Sequence, residues 1–169
     1  PEADDVQRSR KRLLERTERW DELAELIERE IAATADAEPK LPMLRRLAQL
    51  HRERRNDRAS AADVLERMLA LRPDDRVTRD ALLIDLIALG RNEEAAGLLE
   101  TKIDEATSKA PKLTLLHQLA GLLRDDLRDG DRAYAVYGRI LELVPTDADA
   151  FAKMEQLDER DGNYERLLS

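Results

Sequence analysis

Few side chains in this sequence are of a type that does chemistry, and their spacing decides what they could do. There are two histidines, His51 and His117, and no cysteine. Thiolate metal sites, disulfides and cysteine nucleophiles are therefore excluded. Neither histidine is spaced from another ligand as a metal site requires. His51 falls on the apolar side of its segment and reads as a packed inter-helix histidine. His117 lies opposite Leu116 and Leu119, where it could face a groove. The carboxylate pairs Asp4-Asp5 and Asp125-Asp126 are adjacent in sequence. Neighbouring helical residues point about 100° apart, so such pairs read as solvated or capping groups rather than an acid/base dyad. No Gly-rich phosphate loop, nucleophile elbow or His-Glu-x-x-His motif occurs. The expectation is a non-enzyme that uses no cofactor and no metal.

A binding surface remains as the candidate for function. On the helix expected near 41–54, Leu44, Leu47 and Ala48 share the core face. Arg45, Gln49 and Arg52 then share the opposite one. The corresponding positions on a helix near 112–127 are His117, Gly121 and Arg124. On a helix near 76–89 they are Asp80, Ile84 and Ile87. That last helix is apolar nearly all round, through Leu82, Leu83, Ile84, Leu86, Ile87 and Leu89. Ile84 and Ile87 are then either covered by neighbouring helices or form an exposed apolar strip suited to an amphipathic or acidic peptide. The segment Lys40, Arg45, Arg46, Arg52, Arg54, Arg55 and Arg58 is basic. It reads as helix surface paired to acidic neighbours, or as a patch for an acidic partner. Trp20, the single tryptophan, is expected to pack where a helix begins.

These positions depend on a repeated framework. A shift of 72 residues lays 17–97 on 89–169 without a gap, with about 24 identities in 81 aligned positions. Pro39-Lys40-Leu41 falls on Pro111-Lys112-Leu113. Val64, Arg67, Leu69, Leu71, Pro73 and Asp75 fall on Val136, Arg139, Leu141, Leu143, Pro145 and Asp147. The 3.6-residue apolar period predicts first-type helices near 4–17, 41–54, 76–89, 112–127 and 148–160. Second-type helices are predicted near 20–34, 58–71, 92–108 and 131–144, with one more starting at Tyr164. Pro39, Pro73, Pro111 and Pro145 should mark helix ends, and Gly90, Gly130 and Gly162 the turns within pairs. Asp74-Asp75 and Thr146-Asp147 should cap the helices that follow. A lone helix pair cannot cover its two apolar sides, so pairs must stack.

Composition agrees. The chain of 169 residues is 42% hydrophobic and 39% charged but only 3% aromatic. That fits amphipathic helices with charged outer faces and does not fit disorder. The net charge of −8 opposes nucleic-acid binding. No apolar run is long enough for membrane insertion. The absence of a leader pattern points to the cytoplasm, and the first residue is not Met, which suggests an excerpt of a longer repeat protein.

Leu47-Ala48 and Leu119-Ala120, the small residues Ala61, Ala95 and Ala133, the large residues Leu65, Leu99 and Tyr137 that follow them, and the closing Pro73 and Pro145 resemble the tetratricopeptide repeat family. The turn Gly90-Arg91-Asn92-Glu93-Glu94-Ala95 is similar to that family's entry into its second helix. The middle pair departs with Leu82-Leu83 in the Leu-small slot. From Ala48 to Ala61, and from Ala120 to Ala133, the gap is one residue longer than the family's. The resemblance implies a single all-α domain over 1–169, a right-handed α-solenoid of antiparallel helix pairs with about four and a half repeats. It implies a non-catalytic scaffold that takes a protein or peptide partner, acidic or amphipathic, in the groove lined by first-type helices. The alternative is a structural spacer or self-assembly segment that forms homo-oligomers through its repeat ends.

Overall fold

A computed structural model describes residues 2–161, with side chains from 5 to 160. The expected turn at Gly162 and helix from Tyr164 lie outside the described residues. Among the described residues all regular structure is helical and no strand occurs. The chain forms two compact units, Pro1–Leu89 and Gly90–Ser169.

The first unit contains α1 (Glu2–Arg16), α2 (Trp20–Ala33), α3 (Ala37–Glu53), α4 (Arg58–Leu71) and α5 (Arg76–Ala88). Each helix packs on the next in order. Its core is aliphatic: Leu23, Ile27, Leu44, Leu47, Met68 and Leu86 are all but inaccessible. Ala61 and Ala62 are fully buried and allow α4 to approach α3 closely. The second unit contains α6 (Asn92–Glu105), α7 (Lys109–Gly121) with a π-turn (Leu122–Asp126), α8 (Gly130–Leu143) and α9 (Ala148–Asp161). Leu99, Ile103, Leu116, Leu119, Leu123 and Ile140 fill its core. Ala95, Ala120 and Ala133 occupy its tight contacts.

The 72-residue register holds in atomic detail. Asp57 accepts from the Ser60 backbone amide at 3.0 Å, and Asp129 from that of Arg132 at 3.0 Å. Asp75 accepts from the amides of Val77 and Thr78, and Asp147 from that of Ala150 at 2.9 Å. Each cap satisfies amides that a helix start leaves without partners. Arg67 reaches Glu28 at 2.6 Å and Arg139 reaches Glu100 at 3.0 Å, the same bridge between successive second-type helices.

The extra residue between Ala48 and Ala61, and between Ala120 and Ala133, is absorbed at one place in each copy. Arg55 N–H donates to Leu50 O and Asp57 N–H to His51 O. In the second copy Leu127 N–H donates to Leu122 O and Asp129 N–H to Leu123 O. These long closures widen the last turn into a π-type loop. The chain then leaves through a left-handed residue, Asn56 (φ 51°) or Arg128 (φ 57°). The shorter turns use Glu18 (φ 53°) and Gly90 (φ 70°) at equivalent positions. Only glycine adopts this region without steric cost.

Several boundaries differ from expectation: α6 ends at Glu105, short of 108, Gly130 is the first residue of α8 instead of part of the turn, and two first-type helices start early. α3 and α7 start at Ala37 and Lys109, so Pro39 and Pro111 sit in their first turns instead of marking ends. Proline is tolerated there because the first-turn N–H groups have no helical acceptor. Pro42 lies further inside α3 and leaves the Glu38 carbonyl without its usual donor.

Candidate functional site

A groove of about 610 Å³ opens between the first-type helices α1 and α3 of the first unit. Trp20 and Leu23 of α2 and Leu50 of α3 form its apolar floor. Arg12, Glu15 and Arg16 stand on the α1 side; Arg46, Gln49, Glu53 and Arg54 stand on the α3 side. Local structure fixes these positions. Glu18 turns the chain so that Trp20 becomes the first residue of α2. Arg12 and Arg16 are one turn apart, so they project from one side of α1.

The charges divide into spent and available groups. Arg46 is ion-paired to Glu15 across the groove. Gln49 donates to Glu53 at 3.1 Å. The Arg54 guanidinium lies 5.3 Å from the centroid of the Trp20 ring, a cation–π contact that leaves its N–H groups accessible. Arg12, Arg16 and Arg54 have no carboxylate partner among the described residues. In the basic segment the neighbouring arginines are occupied: Arg45 with Asp75, Arg55 with Asp21, and Arg52 and Arg58 with Asp85. Most of that segment is therefore paired surface, and Arg54 stands out from it.

The residues singled out in sequence are placed as follows. Gln49 lines the groove. Arg45 reaches Asp75 only at 3.9 Å and remains well exposed. Arg52 is bound to the fully buried Asp85 at 2.5 Å, and Arg58 approaches the same carboxylate at 3.2 Å. Asp80 is exposed on α5 and takes part in an interaction of its own. Ile84 and Ile87 are 63% and 40% exposed, so they form an apolar strip on α5 rather than core. In the second unit, His117 Nε2 is 3.1 Å from Asp147 and its Nδ1 is 3.7 Å from Asp149. Gly121 ends α7, and apart from its own stretch of helix nothing lies within 4 Å of where its Cβ would stand. Arg124 forks onto Asp125 at 2.6–2.7 Å and donates to the Tyr137 hydroxyl at 2.9 Å. The structure thus brings Gln49 together with Arg54, which the sequence placed in the basic segment, and with Arg12 and Arg16, which the sequence did not single out for binding. It binds Arg52 and Arg124 to internal acceptors.

Electrostatics agree with these assignments. Burial and the adjacent Arg55 lower the pKa of His51, whose Nδ1 lies 2.7 Å from that guanidinium. The ring accepts there as a neutral imidazole. The Arg124 guanidinium holds Asp125 below the ordinary carboxylate range. Burial pushes the Tyr137 hydroxyl up. Among the described residues no cluster of His, Cys, Asp and Glu could hold a metal ion, and no helix is long and apolar enough to cross a membrane.

Comparison with known proteins agrees with this architecture. Residues 44–77, from within α3 through α4 to the start of α5, match the tetratricopeptide repeat family model. The fold is similar to solved structures of MamA. One, described as MamA MSR-1 C2, is 19% identical, covers 98% of this chain and 91% of that one, and has a TM-score of 0.51. Another, described as MamA AMB-1 C2221, is 21% identical over 96% of this chain and 91% of that one, also with a TM-score of 0.51. No curated protein sequence matches the chain. The helix pairs are tetratricopeptide-like repeats, a fold that generally serves protein interaction and not catalysis.

Proposed function

We propose that this chain is a non-catalytic scaffold that docks an acidic, amphipathic protein segment on its first-type helices, with the α1–α3 groove as the principal seat. The observation that carries this reading is the convergence of Arg12, Arg16 and Arg54, free of carboxylate partners, on an apolar floor of Trp20, Leu23 and Leu50. Carboxylates of the partner would take charge-assisted hydrogen bonds from the guanidiniums, and an apolar side chain would sit against the indole. Gln49 would exchange its bond to Glu53 for one to the partner's backbone. Arg45, Asp80, Ile84 and Ile87 extend the surface along α3 and α5, with the two isoleucines supplying apolar contact. His117, Gly121 and Arg124 mark the corresponding positions of the second unit and are secondary contributors.

Trp20 provides the test because it is the only indole in the chain. A synthetic peptide with one leucine between pairs of glutamates should shift its emission on titration. Arg16→Glu combined with Arg54→Glu should weaken that binding at least tenfold, roughly 1.4 kcal/mol or more. An unchanged affinity in the double variant would remove the groove from the proposal.

A further inference from the structure

The π-turn that ends α7 and the last turns of α9 border a hollow of about 470 Å³ in the second unit. Leu157, 4% exposed, forms its floor. Arg124, Asp125 and Arg128 stand on one side, and Gln156 and Arg160 on the other. One 72-residue step earlier, Asn56 takes the place of Arg128, Ala88 that of Arg160 and Asp85 that of Leu157. Asn56, Ile84 and Ala88 lie in the middle of the chain and are exposed. The place is therefore open to water in both copies. What changes between the copies is its chemistry. The first copy sets Arg52 against Glu53 and Asp85, and the second sets three arginines against Asp125 alone.

In the first copy the chain supplies its own anion, because the Asp85 carboxylate takes Arg52 and Arg58. In the second copy an aliphatic floor replaces that carboxylate, and Asp125 is already met by both arms of Arg124. Arg128 forms no ion pair among the described residues and meets Asp125 only at longer range. Arg160 has an interaction of its own and adds its charge to the same rim. Arg128 also holds a costly backbone. Its φ of 57° is left-handed, a region that Asn56 enters with less penalty at the same turn. Such strain collects where a side chain is held for binding. Within a chain of net charge −8, this rim is locally positive. Two copies of so acidic a chain repel each other, which makes a second copy a poor source of the missing anion.

We infer that this hollow seats a glutamate side chain from an acidic segment of a partner protein. The carboxylate forks onto the Arg128 guanidinium with Arg160 beside it, and the aliphatic stem lies on Leu157. Gln156 donates to the backbone of the segment. The seat extends the scaffold reading to the second unit but stands apart from the α1–α3 groove, so either can hold without the other.

Stoichiometry and Trp20 emission separate the two seats. The probe is the same leucine–glutamate peptide, titrated by calorimetry. Wild type should bind two peptides per chain. Arg16→Glu combined with Arg54→Glu should lose the Trp20 shift and retain one peptide. Arg128→Asn should keep the Trp20 shift and also retain one. Added to the groove double variant, Arg128→Asn should weaken the remaining binding by about tenfold or more. Asparagine is the residue the first copy carries at this turn, so the melting temperature of Arg128→Asn should not fall, and lost binding then reports the guanidinium. If the Trp20 shift fails while one peptide still binds and depends on Arg128, the groove is lost and this seat stands. The inference is overturned if Arg128→Asn leaves stoichiometry and affinity unchanged. It is overturned too if free glutarate binds the hollow as tightly as the peptide, or if wild type self-associates in sedimentation and Arg128→Asn does not. In those two cases the seat belongs to a small dicarboxylate or to a second copy.

Discussion

Arg52 and Arg124 occupy the same place in the two copies of the repeat, yet they are satisfied in different ways. In the first copy Arg52 turns to α5, where Asp85 is fully buried and shared with Arg58. In the second copy the counterpart of Asp85 is Leu157 and that of Arg58 is Gly130, so the carboxylate and its second cation are both gone. Arg124 instead forks onto Asp125 beside it and donates to Tyr137, whose counterpart Leu65 has no hydroxyl to offer. Three coordinated differences thus exchange a buried ion cluster for a leucine and a surface fork. A half-buried guanidinium needs an acceptor, but the framework does not dictate where that acceptor stands. The two solutions should differ in how much damage a single truncation does.

The largest expected effect follows directly. Arg52→Ala leaves the Asp85 carboxylate buried with only Arg58 at 3.2 Å. An incompletely compensated buried charge typically costs about 3 kcal/mol or more. Arg124→Ala leaves Asp125 in water and strands only the Tyr137 hydroxyl, a loss of about 1 kcal/mol. Urea melts of the two variants against wild type measure both losses. Equal losses would break the comparison, because the buried carboxylate would then make no difference.

A smaller effect sharpens it at the caps. The Thr78 hydroxyl holds the Asp75 carboxyl below its ordinary range, and the Ala150 amide does the same for Asp147, with help from His117. A carboxyl whose pKa is lowered by folding contributes stability that is present above its unfolded pKa and is lost as pH falls through the folded one. Both caps should therefore weaken below about pH 4. Asp75→Ala and Asp147→Ala should each cost about 1 kcal/mol at pH 7 and flatten the acid limb of the stability profile. Melting temperature against pH for wild type and both variants checks this. An acid limb that stays as steep in both variants would assign the pH dependence to other carboxylates.

Much of this framework is written in the local pattern. α2 and α4 begin where the apolar period and the preceding turns place them, at Trp20 and Arg58. The helix-pair order follows from the 72-residue register. The early starts of α3 and α7 are hidden because Pro39 and Pro111 read as stops, although a first turn accepts them. The extra residue after Ala48 is visible as a spacing, but its conversion into a π-type closure depends on which amide finds which carbonyl. The same limit governs the site. Helical phase sets Gln49 and Ile84 on the face opposite the core, but it leaves open whether neighbouring helices cover Ile84, which the structure shows 63% exposed. Arg12, Arg16 and Arg54 come together only through the packing of α1 and α3 around α2. The bond from Arg52 to Asp85 spans 33 residues, and no local rule selects it over the alternatives nearby.

The smallest expected change is the most discriminating. Asp85→Leu gives α5 the residue that α9 carries as Leu157. The buried carboxylate disappears together with its desolvation cost. Arg52 and Arg58 lose their acceptor, but their side chains are 35% and 45% exposed and can turn to water, and Glu53 stands beside Arg52 as Asp125 stands beside Arg124. Replacing a buried ion cluster with a hydrophobic residue of similar volume is often neutral or stabilising. Stability should stay within about 1 kcal/mol of wild type, in either direction. The double variant Arg52→Ala/Asp85→Leu should recover most of what Arg52→Ala alone loses, because the orphaned charge is then absent. If Asp85→Leu instead costs as much as Arg52→Ala, the cluster is a net source of stability. The two copies would then be unequal in strength rather than two equivalent answers to one packing problem.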